Sequence, residues 1–297
     1  MTLTKQHVGD LVHTTPIVFL NGQFVSQENA VVSVLDRSFL YGDGLFETLR
    51  VHSGKAFRWE QHIERLCQGA EYLKLRLPYS SAQMQEFAGE LIQRNQMADA
   101  ILRLTLSRGV GVRGYSTKGA DRPVLVMTLH PAPALTSEFV PRWTLVTSSV
   151  RIPAGEPLAR FKTCNKLPQI MARLEAESAG ADEALVLDSA GNVVEGASSN
   201  VFWIDRAAVC TPPLACGILP GVTRAVVLEI CSELGLAARD QLITPALLPG
   251  RDGVFLSMSS LGIVEVATVD GKSLKLSPMI EKIGNAYRGL MKAECAA

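Results

Sequence analysis

Residues 131–141 read PAPALTSEFVP, with three prolines and a single charge. Proline lacks the N–H that a helix or a strand ladder needs, so regular structure on either side has to stop here. The stretch is the expected linker. It divides the chain into a first part over 17–130 and a second over 142–297, with residues 1–16 as a polar, mobile extension.

Within the first part, Ile17–Leu20, an Asn21-Gly22 turn and Phe24–Val25 predict a β-hairpin. Ile63, Leu66, Ala70 and Leu73 carry helical spacing after Trp59, and a second helix is expected from about Ala82 to Met97, capped by Ser80 or Ser81. Strands follow at Ile101–Ser107 and Val124–His130. The second part predicts a strand near Trp143–Ser148, a helix over Pro168–Ser178 closed by Gly180, and a β-meander over Ala184–Asp188, Val193–Val194 and Val201–Ile204. A helix over Val222–Leu234, strands at Phe255–Ser257 and Val264–Thr268, and a last helix over Pro278–Ala293 complete an α+β chain without internal repeats.

Lys plus Arg equals Asp plus Glu at 29 each. No net field favours nucleic acid or an anionic membrane, and the expected partner is a small molecule. No apolar run reaches the ~20 residues of a membrane span, and the N-terminus lacks the basic start and apolar core of a signal peptide. The six cysteines are scattered, with no CxxC and no metal-ligand spacing. They read as reduced thiols of a cytoplasmic protein without a metal.

Several stretches carry possible chemistry. Gly217–Arg224 (GILPGVTR) opens a helix, where free N–H groups and the dipole suit a phosphate, and Thr223 can add its hydroxyl. Tyr41–Arg50 (YGDGLFETLR) places two glycines between aromatics, as a close-approaching backbone or a bulge would. Arg108 and Arg113 stand among glycines on a loop after a strand, the form of an anion-binding lip. Lys162 and Lys166 precede a helix, and imine chemistry needs such a lysine once buried. Glu195 stands beside small polar residues. Taken singly, each has an ordinary structural reading as a turn, a bulge or a solvated charge, and Arg65 reads as a surface charge on its helix.

Together the blocks KTCN, GADEALVLDSAGNVVEGASSNVFW and TPPLACGILPGVTR, in this order, resemble the class IV aminotransferases over about Ile17–Val269. That family includes branched-chain and D-amino acid aminotransferases and aminodeoxychorismate lyase. The resemblance implies a D-amino acid aminotransferase-like fold: a small α+β domain, a linker, and a larger domain with a β-barrel-like core. It implies pyridoxal 5′-phosphate (PLP) between the domains and a homodimer with its sites at the subunit interface. Lys162 matches the Schiff-base lysine, and Lys166 is set aside because it follows the motif's Asn165. Glu195 matches the partner of the pyridine nitrogen. Arg65, Val222 and Thr223 match the phosphate contacts. Ser259 stands where relatives place Thr or Ser on the phosphate, although Met258 replaces a glycine. Arg113, Arg103 and Ser260 are assigned to the substrate. The Ser107-Arg108-Gly109 and Arg113-Gly114-Tyr115-Ser116 pattern resembles the lyase, which is the leading expectation, releasing 4-aminobenzoate and pyruvate. An amino-acid aminotransferase is the alternative. A non-catalytic binding protein of this fold is the remote one, opposed by the presence of both Lys162 and Glu195.

Overall fold

The computed structural model describes residues 15–133 and 139–296. The expected extension therefore lies almost wholly outside the described residues, and so does the middle of the expected linker.

Residues 17–131 build one antiparallel sheet. Its strands are β1 (Ile17–Leu20), β2 (Gln23–Ser26), β3 (Gly44–His52), β4 (Lys55–Ala56), β5 (Ala100–Ser107) and β6 (Val124–Pro131). They lie in the order β2-β1-β6-β5-β3-β4. A short helix α1 (Arg37–Tyr41) precedes β3, and α2 (Trp59–Tyr72) and α3 (Ser81–Asn95) pack on the sheet. Ser80 caps α3 in a reciprocal bond with Gln83. Leu45, Leu49, Leu66, Leu91 and Leu104 are buried between the helices and the sheet.

The second sheet contains β7 (Arg142–Ile152), β8 (Glu183–Asp188), β9 (Val193–Gly196), β10 (Asn200–Asp205), β11 (Ala208–Thr211), β12 (Ala238–Asp240), β13 (Gly253–Met258), β14 (Gly262–Val269) and β15 (Lys272–Ser273). The path β10-β13-β14-β7-β8-β9 closes on itself where Glu195 of β9 pairs with Asn200 of β10, giving the expected barrel-like core. Helix α4 (Leu167–Ser178) packs on β7 and β8, α5 (Val222–Glu233) on β13, and α6 (Pro278–Ala296) on β14 and α5.

One stretch departs from its expectation. Tyr41–Arg50 is mainly β3, a strand running nine residues from Gly44. Its positive-φ glycine, Gly42 (φ +69), ends α1. The turn chemistry was legible there, but the strand behind it was obscured by charged residues at buried positions.

Candidate active site

Strand β3 and the segment that carries Lys162 meet edge to edge. Phe46 N–H donates to the Lys162 carbonyl (2.8 Å), Cys164 N–H donates to the Gly44 carbonyl (2.8 Å), and Leu45 bridges Thr163. A Cβ on Gly42 would come within 3.1 Å of Asn165 Cβ, and one on Gly44 within 2.7 Å of the Leu106 carbonyl. The two glycines let the lysine segment lie flat on the sheet. Phe161 anchors it, its ring 4.5 Å from that of Tyr72.

Lys162 thereby enters a cavity of about 570 Å³ between the two sheets. Arg65, Glu195, Val222, Thr223, Ser259 and Ser260 line the same cavity, so seven of the nine residues expected from the sequence converge. Burial, reinforced by the Arg65 charge, brings the Lys162 ammonium down to about 8. Its Nζ sits 4.8 Å from the centre of the Phe46 ring. Glu195, on β9, accepts one bond from Leu219 N–H (3.3 Å). Burial pushes its carboxyl up to about 7, against the opposing pull of that bond and of Lys166 and Lys162.

Arg65 points inward from α2. Its Nε and Nη2 donate to the two oxygens of Glu47 (2.7 and 2.6 Å), and Nη1 donates to the Pro220 carbonyl (2.9 Å). The guanidinium still has N–H donors in reserve for an anion. His62 Nδ1 lies 2.7 Å from the same carboxylate. Burial alone would raise Glu47, yet the Arg65 charge and these bonds hold it at about 2. Glu47 and His62 were missed in the sequence. The available signal was a carboxylate at position 47, in step along β3 with the core residues Leu45 and Leu49.

The start of α5 lies beside Arg65. Its N-cap, Gly221, has no side-chain cap, so the first N–H groups of the helix stay available. A Cβ at Gly221 would collide with Asn200 Oδ1. The hydroxyls of Ser199 and Ser257, both buried, also line the cavity and have no partner among the described residues. Orphaned donors, a bare helix start and a pinned arginine are the donor set of a phosphate-bearing ligand, and PLP fits it.

Two expected residues lie elsewhere. Arg103 stacks its guanidinium 3.9 Å from the Phe46 ring centre, on the sheet face of its cross-strand partner Thr48 at the cavity's margin, with no carboxylate pairing it among the described residues. Arg113 is exposed on its loop and does not line the cavity. Of the two arginines expected to form an anion-binding lip, Arg108 is turned inward and Arg113 alone stays exposed. Arg108 is buried on Asp43 (2.8 Å) and the carbonyls of Leu73 and Lys74. Ser107 bonds Asp36, and Gly109 (φ +85) approaches the Arg122 carbonyl too closely for a Cβ. Arg37 then clamps the loop through the Gly114 and Ser116 carbonyls (2.9 and 3.0 Å).

The family model "Amino-transferase class IV" matches residues 44–269. A relative from Methanocaldococcus jannaschii, provisionally named a branched-chain-amino-acid aminotransferase, is 34% identical over 86% of this chain and 88% of its own. The branched-chain amino acid aminotransferase of T.th., solved with pyridoxamine 5′-phosphate, superposes with a TM-score of 0.87 at 26% identity, covering 94% of this chain and 95% of that one. A structure from Legionella pneumophila, provisionally named 4-amino-4-deoxychorismate lyase, gives 0.80 at 29% identity, covering 86% and 94%.

Proposed function

Because the chain belongs to the class IV aminotransferases, enzymes that work with PLP, we propose that it moves an amino group between a monocarboxylate amino acid, branched-chain or of D configuration, and a keto acid. The observation that carries this reading is the convergence of Lys162, Glu195 and Arg65 on one cavity. When bound, the cofactor supplies a sink for the electron pair left at the amine-bearing carbon of the substrate.

The chain supplies the rest. Arg65, the Val222 and Thr223 N–H groups, the Thr223 hydroxyl and Ser259 hold the phosphate. Glu195 keeps a proton on the ring nitrogen. Lys162, whose amine is partly neutral near its pKa of about 8, holds the cofactor and moves the proton off the substrate carbon and back. Arg103 and Ser260 receive the substrate. Among the described residues the Arg103 guanidinium stands unpaired at the cavity's margin, and it suits one carboxylate. The lyase substrate carries two, and an unpaired anion in a partly desolvated cleft is costly.

The lyase is the second reading, favoured by the Arg113 loop and the Legionella neighbour. Its sequence signature loses weight here, because Ser107, Arg108 and Gly109 are engaged in holding the loop. We also propose that the two sheets mark two domains, and that the protein is a cytoplasmic homodimer. Val31, Val34, Leu35, Phe39, Val112 and Tyr115 are all more than half exposed, an apolar surface that a second copy would cover. None of the described helices is long and apolar enough to cross a membrane.

The test is direct. Purified protein with PLP should convert a branched-chain amino acid, or a D-amino acid other than alanine, plus the monocarboxylate acceptor pyruvate into the matching keto acid and alanine, and borohydride should fix the cofactor on Lys162. Release of 4-aminobenzoate from aminodeoxychorismate without transamination would select the lyase, and a label on Lys166 would displace Lys162.

A further inference from the structure

Lys166 also lines the cavity. It is the N-cap residue of α4 and half-buried, and among the described residues its ammonium makes no hydrogen bond or ion pair. Burial draws its proton affinity down, and Glu195 is the charge that most opposes this. A cation placed so is costly until an anion joins it. Lys162 and Glu195 each have an assignment in the reading above, and Lys166 has none.

The covalent structure of PLP suggests which anion that is. The ring nitrogen lies across the ring from the carbon that bears the aldehyde. That carbon is flanked on one side by the phosphate arm and on the other by the 3-oxygen. Glu195, Lys162 and the corner formed by Arg65 and α5 address the nitrogen, the aldehyde and the phosphate. The 3-oxygen, which ionises to a phenolate, is left. Lys166 stands at the start of α4, whereas α2 and α5 build the phosphate corner.

We propose that Lys166 is a cofactor-binding residue whose ammonium pairs with the 3-oxygen of the pyridoxal ring. The proposal rests on the orientation of the cofactor given under the proposed function. It makes the second lysine of the KTCNK segment a partner of the first, one holding the aldehyde carbon and the other the oxygen beside it.

The experiment measures dissociation constants of PLP and of its 3-deoxy analogue, which has hydrogen in place of the 3-oxygen, for the wild type and for Lys166→Met. Comparing the two ratios cancels any intrinsic preference of the imine for the natural cofactor. The preference for PLP should fall by ~10- to 100-fold in Lys166→Met, the scale of a hydrogen bond to a charged group, and Lys166→Arg should restore part of it. An unchanged preference, or an equal loss of affinity for both compounds, overturns the proposal. So does a variant with unaltered cofactor binding but a raised KM for the amino acid, which would place Lys166 on the substrate carboxylate. A wild type that binds neither compound, or that is not labelled at Lys162 by borohydride, would remove the reading of the cavity itself and this proposal with it.

Discussion

Glu195 is a buried carboxyl that accepts one bond among the described residues, and its pKa of about 7 stands well above the ordinary 4.5. Between those values the folded, cofactor-free protein binds the proton more tightly than the unfolded chain, so its stability falls as pH rises through that window. Glu195→Gln removes the titration. Without cofactor the variant should match the wild type near pH 4.5 and exceed it above pH 7 by at most about 3 kcal/mol, at 1.36 kcal/mol per unit. Thermal unfolding at the two pH values measures the difference, and equal melting at both would contradict the buried charge. With cofactor the same change should sharply lower turnover. Glu47 behaves in the opposite sense. Its pKa of about 2 stabilises the fold above pH 4.5, and the contribution is lost as pH falls toward 2. Glu47→Leu leaves Arg65 buried and unpaired, which should cost about 3–5 kcal/mol in denaturant unfolding. Added phosphate should recover part of that loss, and indifference to phosphate would speak against Arg65 as the anion site. Motif spacing made Lys162, Glu195 and Thr223 legible in the sequence. Glu47 was not, because its partners Arg65 and His62 become neighbours only when α2 folds back on β3.

Among the elements, β3 shows most clearly what local patterns leave out. Its residues carry the wall of the cavity, yet Glu47 and Arg50 are buried among Leu45, Leu49 and Val51. A strand covered on both faces shows no alternation of apolar and polar residues to read. Helices α3, α4 and α5 were legible because a serine box, a proline start and a glycine stop are written within a few residues of their ends. At Gly44, a side chain would press on the Leu106 carbonyl and on Ser38 Oγ, 2.7 and 2.8 Å away. Gly44→Ala should therefore cost about 1–3 kcal/mol and should loosen the lysine segment paired with it. The checks are denaturant unfolding together with the visible absorption of the bound cofactor. Full stability with full absorption would show that the strand tolerates the extra carbon.

At the scale of the whole molecule, the apolar surface around Phe39 and Tyr115 joins α1 to a loop that the buried Arg37 of α1 clamps. A rigid loop with large apolar side chains facing water is unusual for a monomer. Phe39→Asp should shift sedimentation from dimer toward monomer, with a fall in specific activity on dilution. A wild type that sediments as a monomer at all concentrations would end the dimer reading. Arg113 lies on this loop and outside its own cavity, so the variant also tests whether substrate binding depends on association. The α+β class was legible from periodicity. The closure of the barrel was not: the meander pairs β9 with β10 locally, but the ring also needs β10 on β13 and β14 on β7, strands about 50 and 120 positions apart that no local pattern joins.

The bonds from Gly44 and Phe46 to Cys164 and Lys162 join residues more than a hundred positions apart. A contact this distant in sequence forms late, because the entropy of the intervening loop has to be overcome first. During synthesis, the first sheet can be complete while the segment that carries Lys162 is still inside the ribosome. A nascent chain halted near residue 150 would own the wall of the pocket but no nucleophile with which to retain the coenzyme. Covalent capture of PLP thus becomes a timestamp on biogenesis, recording the moment when the second half of the polypeptide first docks on the first.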